Sequence, residues 1–424
     1  MTNRSTLHAP PPDQAKPPPN ELQTLGLMAF GFALVSLDRF IMYPLFPVMA
    51  KELGLDYQDI GLISAAVALT WGISSMVFGR LSDRLGRRGI LITSVLVFSI
   101  LCGATGLAMG LGSLLVIRAV MGIFEGAFVP ASIAAVVDSS PPGRVGRNTG
   151  IQQLMAPLVG SALAPVLAIV LLQMLPSWRW VFVATALPGL LCAWLIFRKL
   201  AEPARAKPAS GQPPVVQAPL RTVLSYPNVA LSGVGFCFWL APIVVFGSLM
   251  PSYLSDHLHL ELGQMGLAMS SLGVGGAVGM LVFPLLSDRW GRKKMMVSCL
   301  LLAMLPTWQL MQTGADPLRL SLLMFLASAF ISGVVAMVHS VTADNVPAQH
   351  VSTATGFIVG AGEIVGGAIA PAVAGGLAKA IGITVILPFT LGCIAVGLVL
   401  ALMLRSAAKT PHLNTVLRST EPHR

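Results

Sequence analysis

The sequence predicts an all-α integral membrane protein, with twelve transmembrane helices in two pseudo-symmetric six-helix bundles. Three observations carry that prediction. The first is composition: of 424 residues, 55% are hydrophobic and only 10% charged, too little charge to keep a soluble chain of this size in solution. The second is pattern. Apolar runs of about 20 residues, each long enough to cross a bilayer as a helix, recur along the chain. They lack the alternation of a membrane barrel, and lipid leaves backbone groups no partner outside a helix or a closed barrel. The third is repetition. The stretch Gly79-Arg-Leu-Ser-Asp83-Arg84-Leu-Gly86-Arg87-Arg88 returns as Pro284-Leu-Leu-Ser-Asp288-Arg289-Trp-Gly-Arg292-Lys293, and one membrane unit used twice is the simplest account.

Taken in order, residues 1–21 hold Pro10-Pro-Pro12 and Pro17-Pro-Pro19 among polar residues. They read as a disordered cytoplasmic tail, since no short apolar region with a small-residue cleavage site follows. Spans one to six fall at 22–49, 58–81, 88–110, 112–137, 146–173 and 178–198, forming an N-terminal bundle over 22–199. Trp178-Arg179-Trp180 at the head of the sixth span reads as an interfacial anchor. Residues 200–225, with Pro, Ala, Gln and scattered charge, read as a cytoplasmic linker. Spans seven to twelve fall at 227–254, 262–286, 294–313, 318–342, 349–378 and 382–404, a C-terminal bundle over 226–405, with a polar, basic tail at 406–424. The repeat extends beyond the loop motif. Asp138-x-x-Pro141 is answered by Asp344-x-x-Pro347, Thr149-Gly150 by Thr355-Gly356, and Gly160-x-x-x-Ala164-Pro165 by Gly366-x-x-x-Ala370-Pro371, each 206 residues apart.

The net charge of +10 suggests nucleic acid only until its distribution is read. Most of the Lys and Arg fall on the loops and tails of one side, the positive-inside bias, which places both termini in the cytoplasm and the basic loops against an anionic leaflet. The expected setting is the plasma membrane, the inner membrane of a bacterium, with the lipid bilayer as partner and the chain a monomer. The five cysteines all lie in apolar runs at no metal-ligand spacing, as small core residues do. No nucleophile triad, metal spacing or phosphate loop marks an enzyme.

Charges inside spans are expensive and need partners or a wet cavity. They are few: Asp38, Arg39, Arg118, Glu125 and Glu363, with His339 nearer the cytoplasmic end. Arg118 and Glu125 are seven residues apart, so they share one helix face, with Gly122 between them. That stripe is either a gap for a small ligand or a structural ion pair. Asp38 and Arg39 point about 100° apart and serve different partners, while Tyr43 stands one turn beyond Arg39 and shares its face. Glu363 sits among Gly360, Gly362, Gly366 and Gly367, which let another backbone approach. It is either a proton-carrying acid or a neutral one hydrogen-bonded to a neighbouring helix. Trp71, Trp239, Phe236 and Phe238 are candidate cavity walls, Gln152 and Gln153 candidate polar contacts, and packing is the competing reading for each. Guanidinium groups suit a carboxylate, and nearby acids that compete for them link anion binding to proton binding.

The loop motif is the signature between spans two and three of the major facilitator superfamily, which the chain resembles over all twelve spans. The resemblance implies two halves rocking around a central cavity, with Gly79, Asp83, Arg84, Gly86, Arg87, Arg88, Asp288, Arg289 and Arg292 forming a cytoplasmic latch closed in the outward-open state. Asp38-Arg39 in span one with Arg118…Glu125…Pro130 in span four also resembles the anion:cation symporter family. That resemblance implies uptake of an organic anion with protons, Arg39 and Arg118 meeting the substrate carboxylate and Asp38 and Glu125 taking protons; the chain departs from the family's pattern at Glu363, where an amide is more usual. From the residues themselves, Tyr43 and Trp239 join the expected substrate contacts and Glu363 the expected proton carriers, and no cofactor or metal is expected. Two alternatives stay open. The Asp38-Arg39-Phe40 run with the span-four Arg and Glu resembles the spinster-type lysolipid transporters, and Gly160-x-x-x-Ala164-Pro165 is a degraded form of the motif of drug:proton antiporters.

Overall fold

The computed structural model describes residues 20–200 and 220–405; the side chains of residues 79–85 and of a few other helical positions lie outside the description. The tail and linker expectations for residues 1–21, 200–225 and 406–424 fall largely outside it. Every regular element described is helical. Eleven helices are long and apolar enough to cross a membrane: Glu21–Leu53, Tyr57–Phe78, Arg87–Thr105, Leu111–Ser139, Val145–Met174, Trp178–Lys199, Pro227–His257, Leu262–Trp290, Pro317–Asn345, Thr353–Ile381 and Ile383–Met403. The helix Arg292–Leu310 fills the ninth place. Its first turn carries Arg292, Lys293 and Lys294, so its apolar stretch is short.

Twelve spans therefore stand close to where hydropathy put them. The differences have physical reasons. The fourth and tenth helices run on to Ser139 and Asn345, beyond the apolar stretch, because acids near their ends are held by arginines. Arg87 pairs with Asp138 and Arg292 with Asp344, the same contact made once in each half. The first helix breaks at Ile41. Pro44 has no N–H to offer the Phe40 carbonyl, and Pro47 none for Tyr43, so the ladder fails just after Asp38-Arg39.

The fifth and eleventh spans each change to π geometry at mid-depth, over Ala156–Leu163 and Glu363–Ile369. Both segments run into an Ala-Pro pair, Ala164-Pro165 and Ala370-Pro371, where the proline again removes a rung. π segments are rare and concentrate at functional sites. Here they occupy equivalent places in the two halves, and both lie on the seam between the halves. Ahead of the third and ninth helices, Gly86 and Gly291 take φ of 95° and 93°, a conformation that costs any residue with a Cβ. That explains why both copies of the loop motif keep glycine before the arginine.

The halves meet through two pairs of spans. The second packs on the eleventh, where a Cβ on Gly61 would lie 2.4 Å from the Pro371 carbonyl and one on Gly375 2.5 Å from the Tyr57 carbonyl. The fifth packs on the eighth, where a Cβ on Gly273 would lie 2.1 Å from the Ala162 nitrogen. Polar contacts clasp the end away from the termini. Lys379 Nζ lies 2.7 Å from the Asp56 carboxylate and donates to Gln58 Oε1 at 3.3 Å, and the Tyr57 hydroxyl donates to Asp256 at 3.2 Å. At the end carrying the termini, the described pairs stay within one half. Arg144 and Asn148 reach Glu21, Arg88 donates to the Phe197 carbonyl, and Asn228 donates to Asn345. Among the described residues, the polar clasp between the halves therefore lies at the end away from the termini.

Candidate functional site

The break after Phe40 sets the site. It holds Asp38 and Arg39 at mid-depth on neighbouring faces of one helix, and the two side chains leave in different directions. Arg39 goes to the seam. Its Nη2 lies 3.3 Å from Glu363 Oε2 of the eleventh span, with side chains 14% and 13% exposed, and its guanidinium lies 5.8 Å from the Trp71 ring centre. Glu363 opens the π segment of its helix. Its glycine neighbours do admit other chains: Phe236 packs where a Gly362 Cβ would be, and the Cys237 carbonyl approaches Gly366. This carboxyl is an ion-pair partner across the seam rather than an isolated acid in an apolar slot.

Asp38 turns inward. It is 2% exposed, lies against the Cys102 thiol of the third span, and leaves Oδ1 without a hydrogen bond. Arg118, also 2% exposed, donates from Nη1 to the Asp38 main-chain carbonyl at 2.9 Å and lies 6.0 Å from the Phe182 ring centre. Glu125 is fully buried, and neither of its carboxyl oxygens has a hydrogen-bond partner. Buried polar atoms are rarely left so, and Asp38, Arg118 and Glu125, each with at least one orphaned polar atom, form a poorly compensated cluster.

Two expectations change here. The span-four stripe has no gap for a ligand. A Cβ on Gly122 would lie 2.2 Å from Thr70 Oγ1 and 2.5 Å from the Val67 carbonyl, and one on Gly126 2.4 Å from the Trp71 carbonyl, so the second helix fills that face. Trp239 stands away from the cluster, fully buried, its indole N–H donating to the Gly397 carbonyl of the twelfth span at 3.0 Å. Nothing in a single sequence told packing tryptophans from cavity ones. Tyr43 is where its spacing put it, one turn from Arg39, edge-on to Phe40 at 5.7 Å and taking a hydrogen bond from Ser64 at 3.3 Å. Gln152 donates to Ser132 inside the N-terminal half, and His339 is exposed on the tenth span.

The latch residues fall into two groups. The side chains of Gly79, Asp83 and Arg84 lie outside the description. Arg87, Arg88 and Arg292 bind within their own halves, Asp288 pairs with Arg292 at 3.3 Å, and Arg289 is exposed. None of the contacts described for them crosses the seam. The anchor at the sixth span also divides. Trp180 is 55% exposed, whereas Trp178 is buried and donates to Glu52 at 2.6 Å, with Arg179 joining the same carboxylate.

Two repeated six-helix halves with charges at mid-depth have the architecture of a membrane transporter. The family model described as the Major Facilitator Superfamily matches residues 28–248 and 242–422, and the chain belongs to that superfamily. It is 28% identical over 282 residues to a hexuronate transporter of Bacillus subtilis, 62% of this chain and 66% of that one, so the match spans about two thirds of that relative. It is 27% identical over 363 residues to a probable 4-methylmuconolactone transporter of Cupriavidus pinatubonensis, 82% and 83% of the two chains. A multidrug resistance protein of Bacillus subtilis and a multi-drug resistance efflux pump of Streptococcus pneumoniae also match. In fold, the chain resembles a bacterial homolog of the human lysosomal transporter Spinster, solved inward-facing and unoccupied, with a TM-score of 0.75 at 16% identity over 92% of this chain and 96% of that one.

Proposed function

We propose that this protein is a secondary active transporter that takes up a small organic anion, a carboxylate, in symport with protons by alternating access. One observation carries the reading: Arg39 stands at mid-depth on the seam, opposed by a carboxyl from the other half. A cation so placed can exchange an internal carboxylate for a substrate carboxylate, and guanidinium binds either by paired hydrogen bonds. Tyr43 borders the same face. Arg118 acts from behind, fixing the backbone at Asp38. Relatives named as a hexuronate transporter and a probable 4-methylmuconolactone transporter support the same class.

Charge balance supports the proton. Asp38, Glu125 and Glu363 set against Arg39 and Arg118 leave one excess negative charge when all are ionised. A bound anion adds a second. Each uncompensated charge at this depth costs several kcal/mol, so anion binding draws protons onto the cluster, with Asp38, Glu125 and Glu363 as the acceptors. Both termini are assigned to the cytoplasm of a bacterial inner membrane, which makes the present arrangement inward-facing and the protein functional as a monomer. The test is uptake of labelled carboxylates into proteoliposomes under an imposed pH gradient. Accumulation should follow the gradient and vanish in Arg39→Gln. Anion movement indifferent to the gradient would remove the coupling; extrusion of cationic drugs with no carboxylate movement would favour the efflux reading.

A further inference from the structure

We infer that the Cys102 thiol sets how readily Asp38 gives up its proton, acting as one donor shared between the Asp38 carboxyl and the Thr185 hydroxyl. Cys102 is then a positioning residue for the proton step proposed above, and its role rests on that reading. The thiol belongs to the third span, is 1% exposed, and sits where three partners converge. Its Sγ lies 3.5 Å from Thr185 Oγ1 and 3.7 Å from the Phe182 carbonyl, both of the sixth span. Its third neighbour is the Asp38 carboxyl of the first span. Packing holds the group together. A Cβ on Gly189 would collide with Ser99, and one on Gly103 would lie 3.4 Å from the Ala186 methyl, so the third and sixth helices meet closely around Cys102 and Thr185.

Counting donors decides where the thiol proton goes. The Thr185 hydroxyl donates within its own helix, to the Val181 and Phe182 carbonyls at 3.0 and 3.2 Å. Toward Cys102 it is therefore an acceptor. The thiol has a single proton to give. Given to Thr185 or Phe182, it leaves the Asp38 carboxyl unsupported; turned to Asp38, it supports the carboxylate. Asp38 has little other support. Its Oδ1 has no hydrogen bond, and Arg118 donates to its main-chain carbonyl rather than to its carboxyl. The charged groups around it are Arg118 and Glu125 of the fourth span and Arg39 beside it in its own helix, which turns to Glu363. No hydrogen bond described for these groups reaches the Asp38 carboxyl. A hydrogen bond to the ionised form favours that form. The thiol turned to Asp38 thus favours release of the proton, and the thiol turned to Thr185 favours its retention.

The experiment is infrared titration of the purified full chain, following the carboxyl stretch of protonated Asp38, assigned as the band missing from Asp38→Asn. In Cys102→Ala the carboxylate loses its donor, so the band should persist to higher pH by roughly half a unit, the effect of one hydrogen bond of ordinary strength. In Thr185→Val the thiol loses its competing acceptor, so the band should vanish at lower pH by a similar amount. The double variant should match Cys102→Ala, because Thr185 acts only through the thiol. The thiol stretch, assigned as the band missing from Cys102→Ala, should move as Asp38 titrates and stay fixed in Asp38→Asn. Loosened packing alone would not shift the two single variants in opposite directions. Midpoints that do not move, or that move the same way in both, would overturn the role of Cys102 and leave Asp38 a proton acceptor. If either variant fails to fold, the wild-type thiol stretch decides: a band indifferent to pH overturns the same role. An Asp38 carboxyl that does not titrate between about pH 4 and 9 would overturn both readings together.

Discussion

Glu363→Gln is the most informative single substitution. The pair it breaks is 3.3 Å long with both side chains about seven-eighths shielded. At an effective dielectric near 20 its attraction is about 5 kcal/mol. Desolvating two ions removes much of that, so about 1–3 kcal/mol is left for a competing anion to overcome. The amide keeps the shape and deletes the charge, as protonation of Glu363 would. A substrate carboxylate then meets an arginine with no charged rival. Its dissociation constant should fall by at least roughly tenfold, the equivalent of about 1.4 kcal/mol. Proton-driven accumulation should fall while anion exchange persists. The assay is titration of purified wild type and variant with one carboxylate at several pH values, alongside exchange in proteoliposomes. Weaker anion binding in Glu363→Gln, comparable to that in Arg39→Gln, would refute the competition argument and make the pair purely architectural.

Other expectations follow from the packing. Gly375→Val places a side chain against the Tyr57 carbonyl, so it should favour the state open away from the termini. Cysteine accessibility on that side should rise and transport should drop, with the protein still folded. Gly122→Ala sets a Cβ against Thr70 and Val67 and should cost about 1–3 kcal/mol through overpacking, read as a lower melting temperature in detergent. Asp56 stands outside the spans; burial alone would raise its pKa, but hydrogen bonds from Lys379 and from the Asp59 and Gln58 backbone outweigh that and lower it. Its contribution to the clasp is therefore complete above the ordinary carboxylate range and lost as pH falls through the lowered value. Asp56→Asn should leave the pH dependence of transport between 5 and 8 unchanged; a shifted profile would contradict this. The exposed pair itself should weaken in salt.

The fold was legible because hydropathy and repetition report directly on membrane spans. Asp83 with Asp288 and Asp138 with Asp344 announced two copies of one unit, and the structure shows why the second pair recurs: Asp138 and Asp344 each hold a motif arginine. The glycines around Glu363 were correctly legible as sites of close approach. Partners were not. Helical spacing places Arg118, Gly122 and Glu125 on one face, but cannot say that the second helix occupies it. It places Asp38 and Arg39 on different faces, but cannot say which meets the seam. That depends on contacts with residues more than three hundred positions away, such as Glu363, whose ion pair with Arg39 no local pattern encodes. The paired Ala-Pro steps at 164–165 and 370–371 are visible in the sequence as a repeat, but not as the ends of π segments on the seam.

The central claim is that anion and proton meet at the Arg39–Glu363 seam, and the most direct test counts protons as the anion binds. Calorimetry of carboxylate binding in buffers of different ionisation enthalpy gives that number for wild type and Glu363→Gln. The account predicts net proton uptake with the anion in wild type, reduced in the variant. An anion that binds with no proton taken up, identically in both proteins, would contradict it.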